Sequence, residues 1–274
     1  MTDYQFDTPT PLDLQVEVAK GTVAITCTET SQTTVSIEGR TADEVRVELN
    51  GTNLDVIAPR QRGGFFGPDA ELHVRLVVPT SSNVGTKTGS ADVDVTGEAG
   101  RAAVKSGSGD VTLQTVGGPA LIETGSGDVR VDHAEQDLRV RCGSGDVHLG
   151  HGGGAVAIST GSGDVEIRTA AAAAVVKTGS GDLRVGQSHA DVSMATGSGD
   201  FTIDRVHGGK LSARAASGDV RLGIPAGLPV WTDLTTVSGS IRSGLDGAGQ
   251  PADGEPYVEL RATTVTGDIV LTQI

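Results

Sequence analysis

The stretch TGSGDVEIRTAAAAAVVKTGSGDLRV (Thr160 to Val185) holds two copies of one corner and decides the fold. The tetrad GSGD recurs with its aspartates at Asp110, Asp128, Asp146, Asp164, Asp182 and Asp200, each 18 residues after the last. A degenerate copy, GSAD, ends at Asp92, one period earlier. A slipped copy, ASGD, ends at Asp219, 19 residues after Asp200. VSGS (Val237 to Ser240) and VTGD (Val265 to Asp268) are later, drifted copies. A fixed period of this size marks an architecture of stacked repeats.

Each Asp serves as position zero of a coil. Position +1 is then Val111, Val129, Val147, Val165, Leu183 and Phe201; position +3 is Leu113, Val131, Leu149, Ile167, Val185 and Ile203. Position +10 is Ala120, Leu138, Val156, Ala174 and Val192; position +12 is Ile122, Val140, Ile158, Val176 and Met194. Residues two apart share one face of a strand, so each coil holds two short strands that point these positions inward together. Position +14 (Thr124, Cys142, Thr160, Thr178, Thr196) is a small, half-polar column, and Cys142 reads there as a buried structural thiol. No coil can bury its apolar face alone, so the coils stack in parallel. The expected fold is all-β: a single-stranded parallel β-helix, a β-solenoid of 18 residues per coil. The hand of parallel crossovers favours a right-handed coil.

The phase breaks at both ends. Residues 1–80 carry longer alternating strands, read as an antiparallel β lead-in that caps the solenoid. Residues 81–222 are the regular GSGD coils, and residues 223–274 are irregular C-terminal coils and cap. Trp231 is expected to plug the widening end of the core. Phe65 and Phe66, in a turn-rich segment, are a candidate partner contact whose alternative is packing over the core.

Net charge is −14 and the pI about 4.7, a surface that repels phosphate backbones and anionic lipid. Nucleic acid and membrane are therefore not expected partners. Hydrophobic residues make up 36% of the chain, enough for an ordered core despite its 40 glycines. The opening MTDYQFDTPTPLDL has no basic segment followed by an apolar run, and no stretch approaches the ~20 apolar residues of a membrane helix. Cys27 and Cys142 match no metal spacing. A cytoplasmic protein is expected.

The tetrad itself reads as a corner. Its glycines are expected to supply positive φ, and its Asp to tie the turn by accepting a backbone N–H. Stacked carboxylates repel by roughly 0.8 kcal/mol per adjacent pair even in water, so hydrogen bonds or cations must offset them. Arg130, Arg184 and Arg221 with His148, and Lys105, Arg141 and Lys177, are the candidate cations. The six aspartates are thus a structural turn ladder. A calcium ladder would need a matching Asp at the opposite turns, and VGGP, HAEQ and HGGG supply none. HGGG (His151 to Gly154) lacks the GxSxG partner of a hydrolase. Six equivalent serines beside aspartates, with no periodic His, make no triad. No enzyme and no cofactor are expected.

The TGSGDV-like coils (Thr124 to Val129, Thr160 to Val165, Thr178 to Leu183, Thr196 to Phe201), the strand LHVRLVVP (Leu72 to Pro79), TVSGSIRS (Thr236 to Ser243) and TVTGDIVL (Thr264 to Leu271) together resemble a known family. It is the bacterial "putative adhesin" family of β-strand repeat proteins, in its signal-less actinobacterial form. The resemblance covers nearly the whole chain and implies a parallel β-helix without an established activity. The expected function is a non-enzymatic scaffold or protein-interaction module that binds a protein partner or another copy of itself. An uncovered end at Ile269 and Leu271 would allow stacking into filaments. The alternatives are a carbohydrate-active β-helix enzyme and a calcium-dependent adhesin.

Overall fold

The computed structural model describes residues 1–59, 71–247, 249 and 254–274. The protein is all-β, and its repeat is a parallel β-solenoid. It divides into two compact units, 1–136 and 137–274.

The first unit holds β1 (Thr2–Asp7), β2 (Asp13–Val18), β3 (Gly21–Thr28), β4 (Gln32–Gly39), β5 (Arg46–Asn50), β6 (Asn53–Ile57) and β7 (Leu72–Pro79). Then come β8 (Asn83–Thr88), β9 (Asp92–Ala99), β10 (Ala102–Ser106), β11 (Val111–Val116), β12 (Ala120–Thr124) and β13 (Val129–Ala134). One sheet runs β1-β4-β7-β3-β9-β11-β13, the other β5-β6-β2-β8-β10-β12. The antiparallel pairs are β1–β4, β4–β7 and β5–β6. The expected lead-in is therefore only partly antiparallel. β2 and β3 pair in parallel with β6 and β7, and again with β8 and β9. Four of the first seven strands are thus already coil strands.

The second unit holds β14 (Leu138–Cys142), β15 (Val147–Gly152), β16 (Val156–Thr160), β17 (Val165–Ala170), β18 (Ala174–Ser180), β19 (Leu183–Ser188) and β20 (Val192–Ser198). It continues with β21 (Phe201–Val206), β22 (Gly209–Ser217), β23 (Val220–Ile224), β24 (Val230–Ser238), β25 (Ile241–Ser243), β26 (Val258–Thr266) and β27 (Ile269–Gln273). Its sheets run β15-β17-β19-β21-β23-β27-β25 and β14-β16-β18-β20-β22-β26-β24. All of these pairs are parallel. The last coil in the chain, β26–β27, is slotted between β22–β23 and β24–β25. Ile269 and Leu271 are buried, because β25 pairs over them. The end coil is β24–β25.

The register explains the period. Neighbouring coils align at a step of 18, as in Val111↔Val129 and Val156↔Ala174. The 19-residue coil keeps the step of 18 to Ser188↔Val206 and has gained one residue by Val192↔Leu211. The extra residue is taken up at Gly208 and Gly209, whose φ of 147° and 96° suit glycine.

Positions +1, +3, +10 and +12 are buried throughout the regular coils. Burying each Val, Leu or Ile contributes about 1.5–3 kcal/mol. A further column lies at +6: Val116, Ala134, Gly152, Ala170, Ser188 and Val206, all buried. Alternation misses it because the strand bends at +4. The pairing runs from Leu113↔Val131 to Thr115↔His133 at the same step of 18 and omits Gln114 and Asp132 between them. Position +6 therefore turns inward where strict alternation would turn +5.

Candidate functional site

The corner glycines do not work by positive φ. Gly107, Gly109, Gly125, Gly127, Gly161, Gly163, Gly179, Gly181, Gly197 and Gly199 all lie outside the left-handed region. What they supply is the missing Cβ. A Cβ on Gly127 would collide with the Gly109 carbonyl, one on Gly163 with that of Gly145, and one on Gly199 with that of Gly181. The coils stack backbone on backbone at these corners, and no side chain fits between them. Positive φ is added in the slipped copy at Gly218 (143°) and in the drifted copy VTGD at Gly267 (153°).

The turn is tied by position +14 rather than by the Asp. The N–H of Gly109 donates to Ser106 Oγ at 3.0 Å, that of Gly127 to Thr124 Oγ1 at 3.2 Å, and that of Gly163 to Thr160 Oγ1 at 3.1 Å. Cys142 substitutes fully: its Sγ accepts from the Gly145 N–H at 3.0 Å and donates to the Gly145 carbonyl at 3.2 Å. Later corners switch. There the strand runs on through the serine, and the Gly181 N–H donates to the Ser198 carbonyl at 3.0 Å, the Gly199 N–H to that of Ser217 at 2.9 Å. The buried Thr178 and Thr196 hydroxyls are left without a partner.

The aspartates tie coil to coil. In the first unit the Asp110 N–H donates to Asp92 Oδ1 at 3.0 Å, and the Asp128 N–H to Asp110 Oδ1 at 2.9 Å. In the second unit Asp164 donates in the same way to Asp146, Asp182 to Asp164, Asp200 to Asp182 and Asp219 to Asp200, at 2.7–2.8 Å. Asp268 follows on Asp219 and Ser240 on Asp268, both at 2.8 Å. The ladder ends there, since Ser240 carries no carboxylate to offer onward. Its order, Asp219–Asp268–Ser240, is the spatial order of the coils and not the chain order.

Of the candidate cations named above, Arg221 reaches the ladder, bridging Asp200 Oδ2 at 2.8 Å and Asp219 Oδ2. Its guanidinium pKa is raised, chiefly by the Asp200 hydrogen bond. Arg130 turns to Asp132, Arg184 to Asp204, His148 to Glu166 and Lys105 to Glu123. Each ladder bond also sets a backbone N–H against a carboxylate, and Arg242 meets Asp268 Oδ2 at 3.4 Å.

Other sequence candidates resolve as follows. Phe65 and Phe66 lie outside the described residues. His151 and Gly152 close strand β15, with Gly152 packed on Val156 and Leu149. His189 and His207 stack face to face at 4.1 Å, and burial, then His189, then Arg205 hold the His207 pKa below its ordinary value. Among the described residues no group of three or more His, Cys, Asp or Glu is placed to hold a metal. A surface groove of about 300 Å³ is lined by Asp13, Gln15, Asp55, Asn83 and Arg101. In it Asp13 Oδ1 accepts from Asn83, and Asn83 Oδ1 accepts the Arg101 N–H.

The end coil differs from all of this. Trp231 does not plug the core: it is 70% exposed, because its register opposite Glu259 turns it to the outer face of the sheet. Val237 is 78% exposed and Ile241 46%. Val230 and Leu234 continue the inward columns but are only half-buried, since no coil follows among the described residues. Among the described residues β24 pairs with β26 on one side and with no strand on the other. Its nine residues contain one charge, Asp233, which Arg261 Nε holds at 3.0 Å. Lys, Pro and bulges are the usual guards of a free edge, and the pairing of β24 has none of them. Sequence reading missed this edge because the chain order hides it. The available signal was the missing Asp in VSGS.

The chain matches the model of the family described as Toastrack DUF4097 over residues 12–204 and 155–272. The chain belongs to that Toastrack family. It is similar to the crystal structure of a "putative adhesin" from Bacteroides fragilis, with 13% identity, a TM-score of 0.39, and 99% of this chain and 96% of that one covered. It is similar to a "putative adhesin" from Parabacteroides distasonis, with 11% identity, a TM-score of 0.39, and 98% and 96% covered. It is also similar to a "putative cell adhesion protein" from Clostridium sporogenes, with 9% identity, a TM-score of 0.20, and 100% and 99% covered. No curated protein matches the chain.

Proposed function

We propose that this Toastrack protein is a non-enzymatic β-solenoid interaction module that binds a protein partner through the free edge of β24. The observation that carries this is a nine-residue edge strand with one charge, Asp233, and no proline, which carries the exposed Trp231 and Val237. An exposed strand edge offers a row of backbone donors and acceptors, and apolar side chains beside it supply pockets and contact area. The ladder carboxylates have a structural task, since their Oδ1 atoms accept the backbone N–H of the next coil. The cytoplasm is the proposed compartment, and the free thiols of Cys27 and Cys142 suit reducing conditions.

The test is affinity capture from the native host with the wild-type chain and with Thr232→Pro, which removes one edge N–H at an exposed position. Binding that depends on the edge is lost in the variant. Capture of the same proteins by both baits would remove the edge from the account.

A further inference from the structure

We infer that the occupant of the β24 edge is a second copy of this chain, paired antiparallel through β24 about a twofold axis at Leu234. The inference rests on the edge reading above and names its partner. The Pro229 carbonyl accepts the Val258 N–H at 2.9 Å, which points Pro229 toward β26. Backbone groups alternate along a strand, so Trp231, Asp233, Thr235 and Val237 also point toward β26. Val230, Thr232, Leu234 and Thr236 turn their N–H and carbonyl groups to the free edge.

A strand that pairs antiparallel with its own copy must place one residue opposite itself. Leu234 is the middle of Val230–Ser238 and has free-edge groups, so centring there sets Trp231 to Val237 opposite the second copy; Ser238 stays outside this register, since its carbonyl accepts the Gly267 N–H at 3.1 Å. Two edge bonds then form between the Leu234 residues. Thr232 lies opposite Thr236 of the second copy, also in hydrogen-bonded register. Trp231 lies opposite Val237 of the second copy, and Val237 opposite its Trp231. Those are the narrow, non-hydrogen-bonded positions, where facing side chains approach most closely. The two most exposed apolar side chains of the strand thus cover each other twice. Asp233 lies opposite Thr235, so the single charge of the strand avoids its own copy.

A closed pair fits better than a filament. A further parallel coil would need a carboxylate at the corner, and the ladder stops at Ser240. The N-terminal edges are guarded by Asp3 and Asp7 on β1 and by Arg46 and Glu48 on β5. Each chain carries a net charge of −14, so two copies repel at long range, and salt screens that repulsion.

The experiment is sedimentation of the purified full-length chain across a wide concentration range, at low and high salt. Circular dichroism checks that each variant is folded. The expected result is a reversible dimer that tightens with salt and is abolished by Thr232→Pro. Thr235→Asp sets carboxylates opposite Asp233 twice and weakens the dimer roughly tenfold, whereas Thr235→Lys tightens it. A monomer at every concentration overturns the inference, as does growth without limit, or a dimer indifferent to all three variants. If the wild type is monomeric but still captures host proteins that Thr232→Pro loses, self-pairing fails and the edge reading stands.

Discussion

The interior corners and the end coil are built from the same motif and use it in opposite ways. At Gly163 the backbone is closed on all sides: Thr160 takes the glycine N–H, the neighbouring carbonyl fills the space of the missing Cβ, and Asp164 and Asp146 link coil to coil. At the β24–β25 coil the tetrad has decayed to VSGS, the ladder receives its last donor at Ser240, and one edge of β24 is left open. The interior uses its polar groups internally, whereas the end leaves a row of them on the outer edge of β24, where no strand pairs among the described residues. The N-terminal edge shows that openness is not imposed by the fold. There β1 carries two carboxylates, and Tyr4 and Phe6 stack at 6.5 Å over the inward side.

Glycine substitution should separate the two regions most strongly. Gly163→Val drives a side chain into the Gly145 carbonyl and should cost at least about 3 kcal/mol in urea unfolding. Gly247→Ala, in the end region with nothing within 4 Å of the new Cβ, should stay within about 0.5 kcal/mol of wild type. Hydroxyl removal should sharpen the contrast between corner types. Thr160→Val orphans the Gly163 N–H and should cost about 1–2 kcal/mol. Thr178→Val removes a buried hydroxyl that has no partner and should be neutral or stabilising in the same assay.

The ladder predicts a smaller difference. Asp182→Ala strips the acceptor from the Asp200 N–H and should cost about 1 kcal/mol, whereas Ser240→Ala interrupts nothing beyond itself. The pH response should be smaller still and local. The backbone N–H of Ser240 is the main cause holding the Asp268 carboxyl below its ordinary value. A carboxyl depressed in the folded state stabilises fully above its unfolded value, about pH 4, and loses that contribution as pH falls through the folded value. Hydrogen exchange at Ser240 should therefore quicken on acidification before exchange in β16 or β18 does, once the intrinsic pH dependence is removed. Equal responses would erase the distinction between end and interior.

Much of the interior was legible because its causes are periodic. Valine and leucine at +1 and +3 mark a strand by simple alternation, and so do the pairs at +10 and +12. The +6 column escaped because the bend at +4 breaks the period of two, and because Ala134, Gly152 and Ser188 are too small or polar to stand out. For the corner glycines the sequence suggests the wrong cause. Spacing cannot tell a residue chosen for φ from one chosen because a neighbouring carbonyl occupies its Cβ position. The ends were least legible, since a period fixes neighbours only while chain order and spatial order agree. Once β26–β27 slots between earlier coils, Trp231 moves from a presumed plug to an outer face, and Ile269 from a presumed end to the core.

The most direct test of the open edge is residue-resolved hydrogen exchange of the β24 amides at low and high protein concentration. The account predicts that Thr232, Leu234 and Thr236 exchange freely when dilute and become protected together as concentration rises, while Asp233 and Thr235, bonded to β26, hardly change. Exchange at all five that is independent of concentration would contradict it.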